Sequence, residues 1–333
     1  MSDQERRSAR EGGELSLTRE DFVQAYRNIE PFVHRTPLLT SRTLSELTGF
    51  DVRLKAELFQ KGGSYKVRGP MNKIAQLTDE ERSRGVICSS AGNHSQGVAL
   101  AARHYGVEAV VCMAENATPS KIAATEGYGA RVVLHGSIWD EANEKALELV
   151  KSEGYTYVHP FDDPDLIAGQ GTVGLEILED NPEVDVLVVP IGGGGLISGV
   201  SMAAKAIKPD VKVIGVESSG APAMKLSVEA GHRVTLDRVD CIIDGLRVRQ
   251  VGENTRSVVS RFVDEIVTLP DERIFEAVVW LMARAKLVAE GAAAAPVAAL
   301  LADLVRAAPG SNVVCVLSGG NLDLDQLQGL RWN

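Results

Sequence analysis

The sequence predicts an α/β protein built from two open parallel-sheet domains, and three observations carry that prediction. Short apolar runs that read as buried strands alternate with helical stretches over residues 86–153 and again from residue 166 onward. With 333 residues, 44% of them hydrophobic and 24% charged, the chain can bury a large core and fill two domains. The polar segment 155–165 breaks the alternation, which places a domain boundary near residue 155.

Taken in order, residues 18–33 place Phe22, Ala25, Tyr26 and Ile29 at helical spacing, with Thr18 and Asp21 as a capping signal. Leu38 and Leu39 follow Pro37 as an extended piece, and residues 41–48 form a short helix stopped by Gly49. Residues 52–58 alternate in polarity as a strand does. Then come extended 86–88, helical 93–105, extended 109–113, helical 119–128, extended 131–134 and helical 138–153. The second series reads helical 166–179, extended 184–191, helical 196–207, extended 211–216 and helical 221–230. Helices over 254–262, 272–288 and 292–305 and a last buried strand over 313–317 complete it. Parallel strands joined by helices imply sheets covered on both faces, with right-handed crossovers.

Several function classes are excluded. A net charge of -10 with no basic stripe argues against nucleic acid as a partner. The most apolar stretch, 291–301, is alanine-rich, interrupted by Pro296 and too short to span a bilayer. The leader Met1 to Glu14 is polar, lacks a secretory apolar core and is expected to be a disordered tail on a cytoplasmic protein. Cys88, Cys112, Cys241 and Cys315 lie far apart with no Cys-x-x-Cys pair, as reduced buried thiols do. An anionic ligand must therefore be held by local amides or single side chains, against the overall field.

Ligands of open parallel sheets bind at loops leaving the carboxyl ends of strands, and four such loops are chemically unusual. Lys66 sits in Gly-Gly-Ser-Tyr-Lys-Val-Arg-Gly (62–69), where small residues allow close approach and Tyr65 offers a flat face; this lysine is a candidate anchor for an aldehyde cofactor. Ser89-Ser90-Ala91-Gly92-Asn93-His94 joins a strand to a helix N-terminus, able to take a carboxylate; Ser90 or Asn93 as an ordinary cap is the plainer reading and is compatible with a site, and His94 reads as structural. Gly192-Gly193-Gly194-Gly195 follows an apolar strand and opens a helix, as a phosphate nest does. It is not a Walker loop, its spacing is weak evidence for a dinucleotide fingerprint, and the first βαβ unit has no such glycine loop. Ser318-Gly319-Gly320-Asn321 follows the last strand; a plain turn suffices for it alone, while beside the other loops Ser318 becomes a partner for a heterocyclic nitrogen.

In this order the loops, with Glu57-Leu58-Phe59-Gln60 and Ser90 to Gly97, resemble the threonine/serine dehydratase and serine racemase family of fold-type II pyridoxal phosphate enzymes over about residues 21–321, and within it the short threonine dehydratases. The resemblance implies a tryptophan synthase β-like architecture. A large cofactor-binding domain would comprise 1–60 with 155–333, and a small mobile substrate domain 61–154. It implies that Lys66 carries pyridoxal 5'-phosphate as a Schiff base and that Gly192, Gly193, Gly194, Gly195 and Leu196 hold its phosphate. Ser318 would face the pyridine nitrogen, Asn93 the phenolic oxygen, and Tyr65 and Gly245 the two ring faces. Ser90, Ala91, Gly92, Asn93 and His94 would receive the substrate carboxylate, with Glu290 supporting the site. Tyr65 stands where the family more often has phenylalanine, and its hydroxyl needs a partner.

The departures bear on the reaction. Racemases of the family place a hydroxyl where this chain has Ala91, so proton return from that face is lost, while dehydration needs only Lys66. Lys-Val-Arg-Gly argues against threonine and cysteine synthases. The expected activity is β-elimination from L-threonine and/or L-serine to a 2-oxo acid and ammonia, a catabolic lyase reaction. A 3-hydroxyaspartate dehydratase, suggested by Arg247, a phenylserine dehydratase and a serine racemase are the alternatives. From other classes, a non-catalytic cofactor-binding or amino-acid-sensing protein would keep the same loops, and a dinucleotide oxidoreductase lacks its glycine loop. Glu217 and Ala221 match positions that bind a divalent cation in some relatives, but Ala223 replaces the acidic partner. The resemblance also implies a homodimer, and the short stretch after Asn321 implies no regulatory domain or isoleucine feedback.

Overall fold

The computed structural model describes residues 15–323 and Gln326, so the leader Met1 to Glu14 lies outside the described residues. Helix α1 (Arg19–Ile29) opens with the expected capping box: Thr18 Oγ1 accepts the Asp21 amide and the Asp21 carboxylate accepts the Thr18 amide. Then follow β1 (Leu38–Thr40), α2 (Arg42–Thr48), β2 (Asp51–Ala56), three single turns over 57–67, α3 (Arg68–Ala75) and α4 (Asp79–Arg84). The next series is β3 (Val86–Ser89), α5 (Asn93–Tyr105), β4 (Ala109–Met113), α6 (Pro119–Gly127), β5 (Arg131–Leu134), α7 (Trp139–Glu153) and β6 (Thr156–Tyr157). The remainder is α8 (Pro164–Asp180), β7 (Val186–Pro190), α9 (Gly195–Ile207), β8 (Lys212–Ser218), α10 (Ala223–Ala230), α11 (Glu253–Phe262), β9 (Glu265–Leu269), α12 (Asp271–Trp280), α13 (Gly291–Leu301) and β10 (Asn312–Leu317).

Two sheets result. A four-stranded one runs β5-β4-β3-β6, all parallel; a six-stranded one runs β1-β2-β10-β7-β8-β9, parallel except for β1, which pairs antiparallel with β2. The last strand is inserted between the second and the seventh, with Leu317 beside Ala56 and Cys315 beside Val188. This register decides where chemistry can occur. The carboxyl ends of β2, β10 and β7 lie side by side, so the loops carrying Lys66, Ser318 and the four glycines leave the sheet as neighbours.

Beneath that edge, Leu54, Val186, Val188, Ile214 and Val314 share one core with α13, ten of whose positions, Gly291 to Leu300, are buried. A helix apolar on every side belongs in a core. A second core under the small sheet joins Val67, Met71 and Ile74 to Val86, Val98 and Val111. No helix among the described residues is long and apolar enough to cross a membrane.

The structure adds helix α4, over residues where no element was expected, and departs from the expected elements in four further places. The helix expected over 272–288 stops at Trp280, passes through a π turn (Leu281–Ala285) and ends at Lys286 with φ 61°. The following residues turn back so that the Glu290 amide reaches the Gly319 carbonyl at 3.1 Å. The helix expected over 292–305 ends at Leu301, with Asp303 at φ 54° just beyond it. Strand β9 is half-buried at the sheet edge, so it lacks the continuous apolar run that marks the inner strands. The segment 155–165 contains β6, whose Tyr157 pairs with Ile87; residues 156–157 therefore belong to the four-stranded sheet.

Candidate active site

Lys66 occupies a single turn (Tyr65–Val67) whose amide end is held by Ser64 Oγ, 3.4 Å from the Lys66 amide. Ser64 bridges antiparallel to Gly319, and the Tyr65 amide donates to the Ser318 carbonyl at 3.1 Å. From the opposite side α5 comes so close that a Cβ on Gly97 would collide with the Lys66 carbonyl. Only glycine permits that approach, and it lays the helix that begins at Asn93 against the Lys66 turn.

The Lys66 amine donates to the Pro160 carbonyl at 2.8 Å and lies 5.4 Å from the Tyr65 ring centre. Burial pulls its pKa down to about 8, with the Glu290 carboxylate opposing the fall. Burial raises Glu290 to about 7 against two 2.9 Å hydrogen bonds from Asn93 Nδ2. Asn321 donates to Asn93 Oδ1 at 2.8 Å, which fixes the Asn93 amide with its nitrogen toward Glu290. Replacing Glu290 by Gln removes the opposing charge. The pH midpoint for reaction of the Lys66 amine with an aldehyde, followed by absorbance, is then expected to move lower; an unmoved midpoint would show that the two groups do not communicate.

The glycine loop sits on the other side of Pro160. Phe161 packs on Gly193 and Gly195, the Gly245 carbonyl on Gly192, and Met224 and Thr255 on Gly194. Each glycine thus has a steric reason of its own, beyond ligand approach. Gly194, at φ 93°, is the N-cap of α9 and provides no side-chain cap, so the first amides of that helix remain available for an anion. Leu196 is in the first turn of this helix and is buried. Ser318, buried, directly follows β10, and its carbonyl meets the Lys66 turn at the Tyr65 amide.

The Ser90 loop differs from the ordinary cap. Gly92 is the N-cap of α5, no side chain caps that helix, and Ser90 Oγ instead accepts the Gly92 amide at 3.2 Å. Ala91 packs against the small-sheet core and carries no acid or base. His94 is structural in its surroundings: Nε2 lies 2.9 Å from the Val158 carbonyl, Nδ1 is buried without a partner, and burial holds the ring neutral with a pKa of about 3. The Tyr65 hydroxyl has no hydrogen bond to another described residue. Glu217 is spent on helix capping, its two oxygens accepting the Met224 and Lys225 amides at 2.8 and 2.9 Å, while the Ala221 amide donates to Ser218. Among the described residues no three His, Cys, Asp or Glu side chains gather as a metal set. Arg247 is exposed and lies 3.5 Å from Asp244, which also pairs with Lys121 at 2.6 Å.

Two features escaped sequence reasoning. One is segment 159–162, read only as a polar crossing, which touches both Lys66 and the glycine loop. The other is a fully buried ionic cluster directly behind Lys66. Arg68 grips Glu57 through two 2.8 Å bonds and Glu176 through bonds of 2.7 and 3.0 Å; Lys55 joins Glu176 at 2.6 Å and the Thr36 carbonyl at 2.7 Å. Burial alone would raise the Glu57 carboxyl, but Arg68 and Lys55 hold it below the usual carboxylate range. Two cations and two carboxylates neutralise one another inside the core. Glu57 and Arg68 lie within the motifs around Lys66, but nothing in the sequence singled out Lys55 or Glu176.

Fold and site together fit one class of protein, α/β enzymes that work through a phosphate-bearing aldehyde carried on lysine. The chain belongs to the pyridoxal-phosphate dependent enzyme family, whose model matches residues 29–319. It is 49% identical over 311 residues to the L-threonine ammonia-lyase of Thermotoga maritima, covering 93% of this chain and 77% of that one. It is 45% identical over 314 residues to the catabolic L-threonine dehydratase of Staphylococcus aureus, covering 93% and 90%. Among solved structures, maize serine racemase superimposes with a TM-score of 0.90 at 36% identity, covering 94% and 96%, and a threonine deaminase from T.th. with 0.87 at 41%, covering 92% and 99%. The residues present fit the family's cofactor: a partly neutral amine suits its aldehyde, and the uncapped α9 terminus across from that amine suits its phosphate.

Proposed function

We propose that this chain is a pyridoxal phosphate-dependent lyase that converts L-threonine and/or L-serine to the 2-oxo acid and ammonia. The observation that carries the reading is the Lys66 amine, lowered to about 8, within the field of Glu290 and held by the Pro160 carbonyl, next to the Phe161 that packs on the glycine loop. In this reading Lys66 links the cofactor, and the amides of Gly192 to Leu196 hold its phosphate. Asn93 meets the phenolic oxygen, Ser318 the ring nitrogen, and Tyr65 and Gly245 the ring faces, while Glu290 holds Asn93 in place. Residues 90–94 take the substrate carboxylate at the α5 N-terminus. The cofactor supplies an electron sink when bound. Lys66 Nζ, freed when the substrate's amine takes its place and about half neutral at pH 8, takes the α-proton and passes it to the β-hydroxyl, which leaves as water; hydrolysis then releases ammonia.

Ala91 leaves no proton donor on the face away from Lys66, which favours elimination over racemisation. Asp244 beside Arg247 disfavours a second carboxylate on the substrate. Residues 61–154 act as the substrate domain, extended by the strand at 156–157 that joins its sheet, and 1–60 with the rest of 155–333 act as the cofactor domain. A cytoplasmic homodimer belongs to the same reading; the exposed Phe59 and Val288 offer apolar surface for a second copy. The deciding experiment compares 2-oxo acid release from L-threonine, L-serine, 3-hydroxyaspartate and phenylserine, with chiral analysis of residual serine. Threonine or serine should give the fastest release with little D-serine. Faster turnover of 3-hydroxyaspartate or phenylserine, or D-serine as the main product, would displace the proposal, and cofactor uptake without any product would leave a binding protein.

A further inference from the structure

The glycine loop is held from outside the cradle by a chain of contacts that starts in segment 159–162. His159 Nδ1 accepts the amides of Phe161 at 3.2 Å and Asp162 at 2.7 Å, which closes this segment into a tight turn. A nitrogen that accepts two amides carries no proton, so the imidazole is neutral with its hydrogen on Nε2. From this turn the Asp162 carboxylate reaches the start of α11, where Oδ2 accepts the Glu253 amide at 3.1 Å and Oδ1 the Thr255 amide at 3.0 Å. Gly252, the N-cap of α11, has no side chain to do this, and a Cβ there would strike Asp162.

Asp162 thereby sets the position of Thr255, which is fully buried. The Thr255 hydroxyl donates to the Gly193 carbonyl at 2.8 Å, and its carbons lie against Gly194. The peptide joining Gly193 to Gly194 is planar and trans, so a carbonyl turned toward Thr255 sends the Gly194 N–H to the opposite side. A left-handed residue in such a run is what makes consecutive amides converge on an anion.

We propose that Thr255 is a positioning residue for the phosphate cradle, orienting the Gly193–Gly194 peptide through its hydroxyl, and that Asp162 holds Thr255 in register. The proposal rests on the cofactor reading above, but it concerns only the phosphate end. Its consequence is selective: the hydroxyl matters for a ligand with a phosphate and not for the same ring without one.

The test measures dissociation constants of pyridoxal 5'-phosphate and of unphosphorylated pyridoxal, by absorbance of the lysine-bound form, for the wild-type protein, Thr255→Val, Thr255→Ser and Asp162→Asn. Loss of one well-oriented hydrogen bond weakens binding by about tenfold. Thr255→Val should therefore weaken pyridoxal 5'-phosphate by about that factor and leave pyridoxal within about twofold, Thr255→Ser should restore tight binding, and Asp162→Asn should weaken the phosphorylated ligand alone. Thermal protection of the cofactor-free protein by inorganic phosphate should fall in the same order. Equal weakening of both ligands, or none, overturns the proposal. If Thr255→Val does not fold, Asp162→Asn against wild type makes the same comparison. A wild-type protein that binds neither ligand at Lys66 would instead refute the cofactor reading itself.

Discussion

Replacing Lys66 by Ala is expected to remove both the absorbance of the lysine-bound cofactor and all measurable release of 2-oxo acid. Neither Lys55 nor Lys121 can take over: the first is locked between Glu176 and the Thr36 carbonyl, and the second is paired with Asp244. The glycine loop is untouched by the change, so the variant should still be protected by inorganic phosphate. Loss of turnover with an intact absorbance would mean that a different amine carries the cofactor.

The second large effect concerns stability. Glu176→Gln takes away the carboxylate that Arg68 and Lys55 share and leaves two buried cations facing Glu57 alone. Breaking one side of such a cluster costs about 3–5 kcal/mol. Urea unfolding of the cofactor-free variant should show the drop as a lower midpoint. A change below about 1 kcal/mol, in the range of exposed ion pairs, would mean that the cluster does not anchor the Lys66 turn. Arg68 lies two residues after Lys66 and bonds to α8 through Glu176, so the same variant should also bind cofactor more weakly.

Much of this architecture was legible because it is local. The helix Asn93–Tyr105 and the strands Ala109–Met113 and Arg131–Leu134 were placed to the residue, since each is bounded by clear turn chemistry and has one unambiguous period. The loops at Lys66, at residues 192–195 and at Ser318 could be singled out because each combines glycines with a strand just before it. The strand β9 and the break at Lys286 were not legible: one is an edge strand without a continuous apolar run, and the other lies inside an unbroken helical period.

The contacts behind the site were hidden for a different reason. Lys66 to Pro160 spans 94 residues of sequence, Thr255 to Gly193 spans 62, and Lys55 to Glu176 spans 121. Nothing in a single chain's periodicity pairs positions so far apart. Charged side chains such as Lys55, Arg68 and Glu176 also read as solvated surface by composition, although the fold buries all three. Segment 159–162 looked like a linker because it is polar and short, yet its polarity serves the contacts it makes.

The final strand threads into the middle of its sheet, between one made early in synthesis and another made at mid-chain. While the ribosome is still translating, β2 and β7 have no bridge between them, and the turn bearing the reactive amine lacks its Ser318–Gly319 neighbour. If the proposed site is right, vitamin capture is expected to wait until β10 has been made and inserted between β2 and β7. A nascent chain cut before Asn312 should be unable to hold the coenzyme, however well its earlier half has already condensed.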